Sequence, residues 1–140
     1  MDALYTAEAL SVGDARNGQA YLADRSLDLR MSVPKEMGGA GDGANPEQLF
    51  ALGYAACFHS ALKLVASKAK VDTTDSAVGA RVSIGSNAAG GFELAVALEV
   101  SLPNVPVEQA RELAEAAHQV CPYSNATRGN IEVTVEVVED

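Results

Sequence analysis

Two cysteines in 140 residues, and 10 basic residues against 19 acidic ones, are the scarcities of this sequence. A net charge of −9 leaves no basic cluster for nucleic acid or for an anionic membrane surface, both of which need concentrated positive charge. The opening residues Met1-Asp2-Ala3-Leu4-Tyr5 lack the basic start and apolar run of a secretory leader, so a cytoplasmic location is expected. In that compartment a pair of cysteines reads as reduced, redox-active or simply buried, rather than as a structural bridge. The apolar stretch beginning at Leu49 is interrupted by His59, Ser60 and Lys63 and does not read as a membrane span. No internal repeat, linker or low-complexity tail is visible. What remains, 48% hydrophobic and 21% charged, is the composition of one globular domain over residues 1–140. Such a chain buries roughly two thirds of its unfolded surface and needs no metal or disulfide to fold.

Residues from about Tyr5 to Val12 alternate loosely and predict a strand, ended by a turn punctuated by Asn17-Gly18. Leu27, Leu29, Met31 and Val33 alternate with polar residues, a half-buried strand that Pro34 ends. The glycine-rich run from Gly38 to Gly43 has neither a phosphate-binding pattern nor a lysine and reads as a flexible connection. Asn45-Pro46-Glu47 supplies an N-cap, a first-turn proline and a first-turn acid, predicting a helix to about Lys70. Its part from Leu49 to Cys57 is apolar nearly all round and should lie in the core. Strands are expected over about Ala77–Ser86 and Phe92–Leu102, joined by a loop at Ala88–Gly91. A second helix should start near Pro106, with Val107, Ala110, Ala114, Ala117 and Cys121 on one apolar stripe and Pro122 as its stop. A last strand alternates from Ile131 to Val137. The order predicts an α+β fold: antiparallel sheets with a long central helix and a second helix.

Cys57 lies some ten residues into its helix, beyond reach of the helix N-terminus, so a reactive thiolate there needs a cation from elsewhere in the chain. Cys121 faces inward on the other helix, and the two thiols could approach if those helices pack. Cys57, His59, His118 and Cys121 have the composition of a metal set, but Cys57 and His59 point about 200° apart around a helix, and no metal is expected. His118 reads as a solvent-side residue near a helix C-terminus. Arg16, taken alone, reads as an exposed turn arginine, and Glu47 as a helix-stabilising acid.

Two segments alter that weighting. Asn45-Pro46-Glu47-Gln48-Leu49-Phe50-Ala51-Leu52-Gly53-Tyr54-Ala55-Ala56-Cys57-Phe58 resembles the peroxidatic-cysteine helix of the organic hydroperoxide resistance branch of the OsmC/Ohr family. Val120-Cys121-Pro122-Tyr123-Ser124-Asn125-Ala126-Thr127-Arg128-Gly129-Asn130 resembles that branch's resolving-cysteine segment. The resemblance extends over nearly the whole chain. It implies a two-cysteine peroxidase without cofactor, in which Cys57 attacks the peroxide, Cys121 resolves it, and Arg16 and Glu47 activate the thiol. It further implies recycling by a dithiol such as the dihydrolipoyl groups of lipoylated proteins, and an intertwined homodimer with sites at its interface. Where the family usually carries glycines before the arginine, this chain has Asp14 and Ala15. Phe50, Leu52, Phe58 and Met37 offer apolar surface near the implied site, which would favour alkyl or fatty acid hydroperoxides by about 0.8 kcal/mol per buried CH₂. Glu47 and Cys57 are separated by about 15 Å of rise if one straight helix carries both. A helix break at Gly53, a mobile Glu47 or a second subunit would reconcile them. Other readings are an OsmC-branch peroxidase and a non-enzymatic redox sensor or ligand-binding module.

Overall fold

The computed structural model describes residues 1–139 and resolves into two compact units, Met1–Leu49 and a second from Phe50 onward. In the first, β1 (Ala9–Val12), β2 (Gln19–Leu22) and β3 (Asp28–Arg30) form an antiparallel sheet in that order. β1 begins later than its alternation predicts, although the Glu8 carbonyl just before it still accepts the Ala23 amide at 2.9 Å. The β1–β2 connection is a single 3-10 turn over Ala15–Asn17, entered through Ala15 at a φ of 50°. The Asn17 side chain accepts the Val33 amide at 3.0 Å, and the Gly18 amide donates to the Ala15 carbonyl at 2.9 Å. A Cβ on Gly18 would press into the Val12 carbonyl and lie 2.6 Å from the Asp14 nitrogen. Gly18→Ala is therefore expected to destabilise the protein by about 1–3 kcal/mol, read as a lower denaturant midpoint; an unchanged midpoint would mean the turn tolerates a side chain.

The glycine-rich connection is ordered rather than flexible. The Ser32 amide donates to Ala44 at 2.8 Å, Ala44 donates to Arg30 at 3.0 Å and Gly41 to Val33 at 3.0 Å, so the loop is laced back onto the end of β3. It delivers the chain to α1 (Pro46–Lys68), whose start is a reciprocal cap: the Gln48 amide donates to the Asn45 side chain at 2.8 Å, and the Asn45 amide donates to the Gln48 side chain at 3.0 Å.

In the second unit β4 (Ala77–Ser86) and β5 (Phe92–Ser101) form an antiparallel hairpin, and β6 (Val133–Val137) pairs with β5 in parallel. The parallel pairing follows from the connection: between β5 and β6 the chain crosses through α2 (Val107–Val120) and α3 (Pro122–Thr127), the kind of long crossover that parallel strands require. Pro122 ends α2 as the sequence implies, but it also opens α3, since a first helical position has no use for the missing N–H. Tyr54, Phe58, Ala61, Leu62 and Ala66 of α1 bury one face with Val96, Leu98 and Val100 of β5 and Ala110, Leu113, Ala114 and Ala117 of α2.

The part of α1 from Leu49 to Cys57 is only partly enclosed, with Tyr54 buried and Leu52 exposed, and an exposed apolar stripe continues into the helix's second half. Leu52 is 69% exposed and Leu64 48%, and with Ala56 they form a stripe at helical spacing that no residue of the second unit covers. By length and composition alone α1 could cross a membrane, despite His59, Ser60 and Lys63; 28% of its most apolar window is buried in the chain.

Candidate active site

The candidate residues fall in both units. In the second, Cys57 projects from α1, half-buried, and Cys121 sits fully buried where α2 ends and α3 begins. Both thiols are free, their sulfurs 3.6 Å apart, with Cys121 placed to donate its S–H to Cys57. A disulfide needs closure to about 2.0 Å, a short movement from this geometry. Burial pushes the Cys57 thiol above its ordinary pKa, a backbone N–H bond from Tyr123 draws it down, and the Cys121 thiol raises it again. The net effect is a Cys57 thiol raised above its ordinary pKa.

Three rings on the cysteine-bearing segments meet in edge-on and tilted contacts. Phe50, Tyr54 and Tyr123 have centroids 5.5–5.9 Å apart. Gly53 admits them: a Cβ there would stand 2.6 Å from the Tyr123 phenol oxygen, so this glycine serves close packing and α1 runs through it without a break. The Tyr54 hydroxyl bonds Ser124 at 2.9 Å and Thr127 at 3.1 Å, and Ser124 also meets His118 Nδ1 at 2.7 Å. His118 is thus a partly buried network member rather than a solvent-side cation, and burial, reinforced by the nearby Arg128 charge, lowers its pKa. His59 bonds Ser76 at 2.9 Å.

The apolar residues expected at the site are scattered. Phe50 helps line an open cavity of about 790 Å³ together with Phe92, Leu94, Pro122, Tyr123 and Ile131. Phe58 is fully buried in the core, one helical turn after Tyr54 on the same face of α1, and is closed to any ligand. Leu52 lies on the uncovered stripe, and Met37, in the first unit, ends a 3-10 turn at 44% exposure. Tyr123, Phe92 and Ile131 were not singled out from sequence. Tyr123 could have been, since it stands two residues after Cys121, whereas nothing in the hairpin sequence assigns Phe92 a face.

In the first unit Arg16 and Glu47 form a two-pronged pair, Nη1 to Oε2 at 3.1 Å and Nη2 to Oε1 at 3.0 Å. The hydrogen bond to Glu47 raises the Arg16 pKa further, so its charge is permanent. The 3-10 turn sets the arginine and the Asn45–Gln48 cap sets the glutamate, so both partners are held by backbone geometry.

The family model for OsmC-like protein matches residues 39–136. The sequence is 49% identical over 134 residues to the organic hydroperoxide resistance protein of Xanthomonas axonopodis pv. citri, a match covering 94% of this chain and 93% of that one. The crystal structure of an organic hydroperoxide resistance protein from Elizabethkingia anophelis superposes with a TM-score of 0.95 at 50% identity over the full length of both chains. That of the organic hydroperoxide resistance protein OhrB of Bacillus subtilis gives 0.88 at 42% identity, covering 97% of this chain and 100% of that one.

Proposed function

The chain belongs to the OsmC-like family, and on that premise we propose that it is a thiol-dependent peroxidase that reduces organic hydroperoxides to alcohols in the cytoplasm. The observation that carries this reading is the reduced pair Cys57–Cys121, two sulfurs 3.6 Å apart with one half-buried and one enclosed. The half-buried thiol is the one a substrate can reach, which favours Cys57 as the attacking group.

The Cys57 thiolate attacks one peroxide oxygen, the O–O bond breaks, and the leaving alkoxide takes a proton to become the alcohol. Cys57 is left as a sulfenic acid. The Cys121 sulfur then attacks the Cys57 sulfur and expels hydroxide, which is protonated to water, and the disulfide forms. An external dithiol, of the dihydrolipoyl kind, returns both thiols by exchange and is itself oxidised to a disulfide.

The thiolate needs a cation, and the bidentate Arg16–Glu47 pair is built to present one. Because α1 is continuous from Pro46, Glu47 and Cys57 of one chain are separated by about 15 Å along it. We therefore assign the activating pair to a second copy of the chain, in an intertwined homodimer. The uncovered stripe of Leu52, Ala56 and Leu64 supports that assembly, since a partner copy would remove it from water. The cavity beside Phe50 and Tyr123 supports an alkyl or fatty acid hydroperoxide over hydrogen peroxide.

The test is turnover of tert-butyl or fatty acid hydroperoxide with dihydrolipoamide. Wild type should cycle, and Cys121→Ser should consume one equivalent without forming the intramolecular disulfide. Absence of wild-type turnover with any dithiol would leave a sensor or binding protein and end the enzyme reading.

A further inference from the structure

Between the two cysteine-bearing segments lies a polar cluster that the peroxide chemistry does not use. Tyr54 is fully buried and stands one helical turn before Cys57 on α1. Its hydroxyl reaches Ser124 Oγ at 2.9 Å and Thr127 Oγ1 at 3.1 Å, both on α3 and both buried. Ser124 in turn bonds His118 of α2 at 2.7 Å, and Thr127 donates to the Ser124 carbonyl at 3.3 Å. Cys121 is the residue at which α2 ends and α3 begins. One phenol thus ties the turn of α1 that precedes Cys57 to two residues after Cys121 and, through Ser124, to His118 before it. Apolar packing alone would be satisfied by phenylalanine; a buried hydroxyl with two hydroxyl partners specifies a fixed separation instead.

We propose that Tyr54 is a positioning residue for the resolving step: through Ser124 and Thr127 it holds Cys121 within reach of the oxidised Cys57 sulfur. Tyr54 touches neither substrate nor sulfur in this role and acts through α3. Gly53 complements it by letting the Tyr123 ring approach α1, so that one polar tie and one close apolar contact set the spacing together. The inference rests on the peroxidase reading above.

The experiment follows a single turnover of reduced protein with tert-butyl hydroperoxide. It measures hydroperoxide consumption and, by acid quench and mass spectrometry, appearance of the Cys57–Cys121 disulfide. In Tyr54→Phe, consumption should stay within about twofold of wild type, while disulfide formation slows by about tenfold or more as the reacting sulfurs lose their alignment. Excess hydroperoxide should then drive Cys57 on to the sulfinic acid. Thr127→Val, which keeps the side-chain shape and removes one hydroxyl partner, should slow the same step to a smaller degree and serves if Tyr54→Phe does not fold. Equal slowing of both steps, or no change in disulfide formation in the folded variant, would overturn the proposal. If the wild type consumes hydroperoxide but forms no such disulfide, the two-cysteine route fails; if it consumes none, the peroxidase reading fails; in either case the positioning role falls with it.

Discussion

Cys57→Ser is expected to reduce hydroperoxide turnover to the uncatalysed rate, a loss on the order of a thousandfold or more, while the protein remains folded. The reason lies in the element, not in the geometry. A serine oxygen at the same position has no accessible two-electron oxidation, so it can neither take oxygen from a peroxide nor pass through a sulfenic acid. The substitution replaces one small half-buried side chain by another, and among the described residues it disturbs the hydrogen bonds from the Cys121 thiol and the Tyr123 amide. Thermal unfolding should therefore move little, and the two readouts separate chemistry from folding. Cys121→Ser, by comparison, should retain the first oxidation and lose the second step. If Cys57→Ser retained turnover and Cys121→Ser did not, the roles of the two cysteines would be exchanged. The burial of Cys121 argues against that, because a hydroperoxide has no route to a fully enclosed sulfur.

The legible parts of this molecule were those written in local chemistry. Asn45, Pro46 and Glu47 declare the start of α1, and the structure adds the reciprocal cap between Asn45 and Gln48. The hairpin β4–β5 was bounded to within a residue by alternation and by Ala88–Gly91. What local pattern could not give was anything set by a distant partner. The parallel register of β6 depends on where α2 and α3 carry the chain. The burial of Phe58 and the exposure of Leu52 depend on which face of an almost wholly apolar helix meets β5. His118 looked like a helix-end cation until α3, a helix of 6 residues, brought Ser124 to its ring. At the candidate site, Arg16 and Glu47 came from resemblance, since each alone has an ordinary local explanation, and the tertiary structure joins them by a two-pronged bond.

Arg16→Met is expected to move the pH dependence of the first oxidation step toward alkaline pH. The sign follows from the charges. The thiolate is the attacking form, so the rate rises with pH through the Cys57 pKa. Burial and the Cys121 thiol push that pKa up, and the Tyr123 amide opposes them. A guanidinium brought beside the sulfur favours the anion and lowers the pKa, by about 1–3 units for an adjacent opposite charge. Removing it should shift the rising limb up by that amount and cut the rate at neutral pH by roughly 10- to 1,000-fold, since each unit is a factor of ten in thiolate. Arg16 itself, held charged by Glu47, contributes no limb of its own in this range. Arg16→Lys separates charge from orientation: it should keep part of the shift yet lose rate on the plateau, because an ammonium cannot reproduce the two-pronged bond to Glu47. Unfolding cannot account for such losses. Arg16 is 39% exposed, and a solvent-screened pair of this kind contributes about 0–1 kcal/mol to stability. A pH profile for Arg16→Met that overlays the wild type would mean that the cation acting on Cys57 is not Arg16, and the assignment of the activating pair to a second copy of the chain would have to be abandoned.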